Sequence, residues 1–346
     1  MSRMLREIRE QPEALRRTLL SASVRMPEFA RAVQLHKPRL VVLAARGTSD
    51  NAALFGRYLI EMTTGVPVSL AAPSIQTLYG ATVDYRHALV IGVSQSGESP
   101  DVNVVVEKAR AGGALTLGIT NEPGSALAQA AQHVLLVSAN KERSVAATKT
   151  YTGQVLLLYL VAKALGARLR SSDLEAIPDL AATALKLEEE VTELAGRFRF
   201  MNHAVVVGRG LNYASAFEMA LKLMETCYVV AERFSSADFL HGPIAMVDPN
   251  FPVFAFAPRG PAWPGLQETL LRLREMKTEA VVITDRKNRE AGAAAARVIR
   301  VPASIAEIYT PIPYIIPAQI FAAALAVEKG INPDQPRSLN KVTQTL

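Results

Sequence analysis

Residues 39–61 read RLVVLAARGTSDNAALFGRYLIE, and residues 203–225 read HAVVVGRGLNYASAFEMALKLME. Each opens on a Val/Leu/Ala run suited to a strand buried on both faces, crosses a glycine, and continues with apolar residues at helical spacing. A strand that runs straight into a helix is the first half of a parallel β–α–β unit. The same offset, roughly 164 positions, relates ALVIGVSQSGESPDV, from Ala88, to PVFAFAPRGPAWPGL, from Pro252. Two matches at one offset predict two copies of one α/β unit.

The intervening sequence keeps that rhythm. Helices are expected from about Asn51 and Val102, further strands at LTLGIT and HVLLVS, and a long apolar helix from about Thr150. LEAIPDLAATALKLEEEVTELAGRF, from Leu174, has helical period and reads as a connector. The 346 residues, 49% of them apolar, suffice for two ordinary domains. One cysteine, Cys227, excludes an intramolecular disulfide and a cysteine-built metal cluster, which fits a reducing cytoplasm. The N-terminus carries no apolar signal core, and no run of about 18 or more apolar residues occurs elsewhere, so neither export nor a membrane is expected. The net charge of +6 is scattered. Arg3, Arg6, Arg9, Arg16 and Arg17 come nearest to a patch, but Glu7, Glu10 and Glu13 lie between them at helical spacing, so a solvated helix face is expected and not a nucleic-acid arm. A modest basic excess suits a small anionic substrate.

Ligands of an open parallel sheet sit beyond the carboxyl ends of its strands. ARGTSDN (45–51) and SQSGES (94–99) fall there, and each offers hydroxyls and backbone N–H groups at a helix start. Thr48, Ser49, Ser94, Gln95, Ser96 and Ser99 can surround a phosphate; the same residues can equally form capped turns. Neither loop is a Walker loop, and GRG at 208–210 lacks the third glycine of a dinucleotide fingerprint, so nucleotide binding is not expected. The second copy replaces the serine loop with PRGPAW, so only one copy is expected to bind through it. Its helix instead carries Glu218, Lys222 and Glu225 at i, i+4 and i+7, along one face. That pattern is either an exposed ion-pair ladder or, on so apolar a helix, a charged cleft wall where a carboxylate is tuned for proton transfer. His241 lies in a short loop before Gly242 and Pro243, a setting common for surface histidines, and Lys341 lies in a tail that would ordinarily fray.

These motifs carry a family resemblance. EIREQP near the start, GTS at 47–49, SQSGES at 94–99, VAATKTY at 145–151, ALKLME at 220–225, LHGP at 240–243 and DQPRSLNKVT at 334–343 occur in order over nearly the whole chain. The chain resembles double sugar-isomerase (SIS) domain proteins: the isomerase half of glutamine-fructose-6-phosphate aminotransferase, and more closely stand-alone glucosamine-6-phosphate deaminases of SIS type. The resemblance implies two tandem α/β domains, each a flavodoxin-like, Rossmann-like three-layer α/β/α unit. Residues 1–172 would hold N-terminal helices and the first domain, 173–200 the connector, 201–335 the second domain, and 336–346 a tail closing the active site. It implies phosphate binding by Thr48, Ser49, Ser94, Gln95, Ser96 and Ser99, and sugar contacts at Val145, Ala147 and Asn340. Glu225 would be the base moving a proton between C1 and C2, with Lys222 and Glu218 its charged neighbours. His241 would open the sugar ring in the adjacent subunit of a homodimer, and Lys341 would form a Schiff base with the keto sugar.

The activity so implied is conversion of D-glucosamine 6-phosphate and water to D-fructose 6-phosphate and ammonia in the cytoplasm, with no metal or organic cofactor. The alternatives are deamination or deglycation of other amino-sugar 6-phosphates, the isomerase part of a synthase system, and a phosphosugar sensor without catalysis. Three departures from the synthase pattern stand out. No glutaminase domain is present in this sequence, Arg46 stands where the synthase has cysteine, and Ala147 stands where it has serine.

Overall fold

A computed structural model describes residues 1–339 and 341; Asn340 and residues 342–346 lie outside the described residues. The strands are β1 (Leu40–Ala45), β2 (Val68–Leu70), β3 (Ala88–Val93), β4 (Leu115–Thr120), β5 (His133–Leu136), β6 (His203–Gly208), β7 (Val230–Ser235), β8 (Pro252–Phe256), β9 (Glu279–Asp285) and β10 (Arg297–Val301). They form two five-stranded sheets, β2-β1-β3-β4-β5 and β7-β6-β8-β9-β10, parallel throughout. Both sheets thus have one strand order, and each matched sequence pair occupies equivalent places: β1 with β6, and β3 with β8.

The chain divides into two compact units. The first unit is built on Glu10–Arg143 and Ala147–Pro178, joined by Leu339 and Lys341 of the tail; the second is built on Asp179–Ser338, joined by Met1–Arg9 and Ser144–Ala146. The connector segment is three short helices, Ser171–Glu175, Ile177–Leu185 and Glu188–Arg197.

In the first unit β1, β3 and β4 are buried on both faces, as unbroken apolar strands require. Val42, Ala44 and Val90 pack against Val102, Val105 and Val106 of helix Pro100–Ala111. On the opposite face helices Thr48–Thr64 and Lys149–Ala164 meet the sheet at Gly56, where a Cβ would stand 3.1 Å from Leu158 and 3.3 Å from Leu43. Helix Gln11–His36 packs on helix Lys149–Ala164, and the Thr18 hydroxyl donates to the Val137 carbonyl. In the second unit Val205, Val207, Val253, Ala255 and Val282 pack against Leu266, Leu270 and Leu273 of helix Trp263–Glu275. Phe254 turns the other way, its ring centroid 4.9 Å from Phe321 and 5.5 Å from Phe198. Burial of side chains this large stabilises by about 1.5–3 kcal/mol each. Phe321 belongs to helix Pro311–Glu328, the one helix among the described residues long and apolar enough to cross a membrane; 83% of it is buried inside the fold, as befits a core helix.

The N-terminal acids divide their work. Glu13 pairs with Arg16 as helical spacing predicts. Glu7 is buried and accepts the Ser144 N–H, and Glu10 accepts from Lys149 Nζ at 2.6 Å.

Candidate active site

The loops leaving β1 and β3 lie side by side in the first unit. Gly47, at φ +56°, turns the chain into helix Thr48–Thr64. Gly97, at φ +68°, has no room for a side chain: a Cβ there would fall 2.4 Å from Ser125 Cβ. Ser94 Oγ accepts the Gly97 N–H at 3.1 Å and lies 3.2 Å from Ser99 Oγ, while Ser96 Oγ accepts the Glu98 N–H at 3.2 Å. Gln95 is fixed through its carbonyl, which accepts from the Asn121 N–H and the Thr120 hydroxyl. These bonds shape a turn. The hydroxyl of Ser99 nevertheless heads helix Pro100–Ala111 without capping it, so the cap half of the turn reading fails for this serine. Thr48 is half-buried at the first position of its helix.

Two contacts that sequence reading did not find brace these loops. Gln154, buried on helix Lys149–Ala164, donates from Nε2 to Ser49 Oγ at 2.9 Å. Arg46 Nε donates to Asp101 Oδ2 at 2.6 Å, with Asp101 buried and half of the Arg46 side chain exposed. Arg46 therefore ties the loop after β1 to the helix after β3 and leaves a cation at the mouth of both.

A third unforeseen residue is Glu142. Its carboxylate has no exposed surface and accepts from the Thr148 N–H at 2.8 Å, the Thr148 and Thr150 hydroxyls, the Thr150 N–H at 3.3 Å and Lys341 Nζ at 3.3 Å. Burial opposes its ionisation, but the Lys341 ammonium, the Thr150 hydroxyl and the two backbone amides outweigh that and hold the carboxyl below the ordinary glutamate range. The tail lysine is thus held by a carboxylate of its own unit. Val145 and Ala147, in the intervening segment, are both half-buried; Asn340, expected as a sugar contact, lies outside the described residues.

In the second unit helix Tyr213–Cys227 brings Glu218, Lys222 and Glu225 together as their spacing predicts. Lys222 Nζ lies 3.3 Å from Glu218 Oε1 and 2.7 Å from Glu225 Oε2. Glu218 and Lys222 are sealed from solvent, and the Glu225 side chain is 23% exposed. An exposed ladder is therefore excluded. Burial pushes toward loss of the Lys222 proton, yet the two carboxylates hold it and raise the group above the ordinary lysine range. One charge of the three can reach a ligand, and it is the Glu225 carboxylate. His241 follows the short helix Ser236–Leu240; it is exposed, and its imidazole makes no hydrogen bond to the described residues.

Known proteins share this fold. The SIS domain model matches residues 34–164 and again 198–329. Glutamine--fructose-6-phosphate aminotransferase [isomerizing] from Pyrococcus horikoshii is 35% identical over 98% of this chain and 57% of its own length, so the chain spans little more than half of that relative. The C-terminal domain of glucosamine-fructose-6-phosphate aminotransferase from Francisella tularensis superposes with TM-score 0.87 at 29% identity, over 97% of this chain and 98% of that one. Glucosamine-6-phosphate deaminase from Thermotoga maritima, at 22% identity, TM-score 0.78 and 99% and 100% coverage, shares the fold.

Proposed function

The chain belongs to the SIS domain family, and on that premise we propose that it deaminates an amino-sugar 6-phosphate: D-glucosamine 6-phosphate and water give D-fructose 6-phosphate and ammonia. The observation that carries the reading is the buried Glu218–Lys222–Glu225 ladder with only Glu225 open. A carboxylate fixed by an ammonium at 2.7 Å, and reachable from one side, suits proton transfer on a bound molecule.

Glu225 removes the C2 proton of the open-chain aldehyde, and the electron pair moves toward the C1 oxygen, which takes up a proton. Lys222, sealed behind Glu225, orients that carboxylate through their 2.7 Å contact. Glu225 then returns its proton to C1, leaving a C1 alcohol and a C2 imine. Water adds to C2, the C–N bond breaks, and ammonia leaves. The loops at 46–49 and 94–99 hold the phosphate. Lys341 serves the keto carbon, with Glu142 beside it as proton acceptor. His241, exposed and unbonded, opens the ring in a neighbouring copy of a homodimer.

Purified protein given glucosamine 6-phosphate should release ammonia and fructose 6-phosphate in equal amounts, without glutamine. Exchange of the C2 proton with solvent but no ammonia would leave an isomerase alone, and tight binding with neither would leave a sensor. The names of the aminotransferase relatives favour a second reading, in which the chain works in the opposite direction with ammonia supplied by a separate glutaminase. Net flux from fructose 6-phosphate at cellular ammonia levels would select that reading.

A further inference from the structure

The side chains expected to hold the phosphate, Thr48, Ser49, Ser94, Gln95, Ser96 and Ser99, are all neutral. Three of their hydroxyls already accept a bond from the protein: Ser49 Oγ from Gln154 Nε2 at 2.9 Å, Ser94 Oγ from the Gly97 N–H at 3.1 Å, and Ser96 Oγ from the Glu98 N–H at 3.2 Å. Each keeps a proton to donate, which suits an acceptor ligand, but none offsets its charge. Arg46 supplies what they lack. It follows the last residue of β1, and Asp101 lies two residues beyond Ser99, so the 2.6 Å bond from Arg46 Nε to Asp101 Oδ2 sets the guanidinium between the two loops. The carboxylate that holds it is fully committed, since the Asp101 side chain is 2% exposed and its other oxygen accepts the Val102 N–H at 2.9 Å. The guanidinium is not. An arginine and a carboxylate can make two parallel bonds, yet this pair uses Nε alone, and neither terminal amino group of Arg46 has a hydrogen-bond partner among the described residues. Asp50, in the first turn of helix Thr48–Thr64, also feels the Arg46 charge. Without Arg46, two carboxylates would stand unopposed beside the loops.

We propose that Arg46 is a specificity-determining residue of this site: its two unspent amino groups bind the phosphate directly, Asp101 aims them, and the pair selects a dianionic phosphate ester over a monoanionic ester of the same shape. The inference rests on the phosphate-binding reading of the two loops and adds to it the residue that reads the charge of the ligand. Arginine stays protonated, and a phosphate monoester carries about −1.5 to −2 charges at neutral pH, whereas a sulfate ester carries a single one.

The test is calorimetry with fructose 6-phosphate and with fructose 6-sulfate, which requires no turnover and so stands apart from the reaction proposed. Wild-type protein should bind the phosphate ester more tightly than the sulfate ester. Arg46→Ala should weaken binding of the phosphate ester by roughly 10- to 100-fold, the range for a hydrogen bond to a charged group, and bring the two esters close together in affinity. Arg46→Lys should recover part of the loss, as a point charge without the fork. The double variant Arg46→Ala with Asp101→Asn leaves no unpaired carboxylate at the pair and covers the case in which Arg46→Ala fails to fold; it should bind the phosphate ester as weakly and with as little preference. Wild-type affinity in the double variant would mean that Arg46 merely masks Asp101, and would overturn the proposal. So would an unchanged affinity, or an unchanged preference between the esters, in folded Arg46→Ala. Wild-type protein that binds neither ester would instead remove the phosphate grip of the two loops, and this inference with it.

Discussion

The two units have the same strand order and opposite treatments of charge. In the first, the segment before helix Lys149–Ala164 carries Glu142, which turns to the tail lysine. In the second, the corresponding segment before helix Pro311–Glu328 carries Glu307, which accepts the Ala262 N–H in the loop after β8. The helices after the first strands diverge likewise: Thr48–Thr64 presents hydroxyls at its start, and Tyr213–Cys227 buries a lysine between two carboxylates. A duplicated sheet therefore need not duplicate a site, since a few side chains on the loops decide whether an end of it binds an anion or supplies one. The proposed function assigns grip to the first unit and proton transfer to the second.

The division breaks most directly at Glu225. Glu225→Gln should lower kcat by about 10²–10⁴-fold, the usual reach of a general base, and leave KM nearly unchanged. Loss of C2 proton exchange into deuterated water, followed by NMR, is the measurement. An active Glu225→Gln would remove chemistry from this helix. Next comes a contrast of two buried lysines. Lys222→Met leaves Glu218 buried without its ammonium, and removal of one partner of such a pair costs about 3–5 kcal/mol. Lys149→Met leaves Glu10, whose side chain is 50% exposed and can return to water, so about 1 kcal/mol is expected. Urea unfolding of both variants reads the difference; equal losses would mean that the second ladder is no more dependent on burial than the first pair.

How much of this was legible in the sequence follows from the range of each interaction. The sheets were, because a buried parallel strand and its helix announce themselves locally. Helices expected from about Asn51, Val102 and Thr150 begin at Thr48, Pro100 and Lys149, at glycine, serine and threonine boundaries. The Glu218–Lys222–Glu225 contacts were legible too, since helical spacing alone brings them together. Glu142 was not: between Lys141 and Arg143 it reads as one more solvated charge, and its partner Lys341 lies 199 residues away. Gln154 and Ser49 are separated by 105 residues, and Glu307 and Ala262 by 45. The local signals that existed were the two threonines, Thr148 and Thr150, following Glu142 as ready donors, and a lone acid before the apolar run that starts at Pro311. The departure noticed at Arg46 acquires a meaning only with Asp101 beside it.

A smaller effect is expected in the serine loop. Ser94→Ala with Ser96→Ala should raise KM about tenfold, equivalent to about 1.4 kcal/mol, with kcat little altered. Both hydroxyls also accept a loop amide, so thermal unfolding must accompany the kinetics. A lower melting temperature with unchanged KM would return the loop to the status of a turn and remove the first unit's share of the division.

The finest contrast is in the sign of a pH dependence. Glu142 has its carboxyl held below the ordinary glutamate value of 4.5, so between the folded and unfolded values the unfolded chain binds the extra proton. Its contribution to stability is complete above about pH 4.5 and is lost as pH falls through the lower, folded value. Glu307 is the reverse. Burial raises its carboxyl above 4.5, and the Ala262 N–H only partly offsets that, so the folded chain binds the extra proton and stability declines as pH rises through the folded value. Glu142→Gln should therefore flatten the acid loss of stability measured by urea unfolding from about pH 3 to pH 7, while Glu307→Gln should steepen it by removing a group that gains from protonation. Two variants that bend the curve in the same direction would show that the two acids occupy alike surroundings, and the contrast between the units would lose its electrostatic basis.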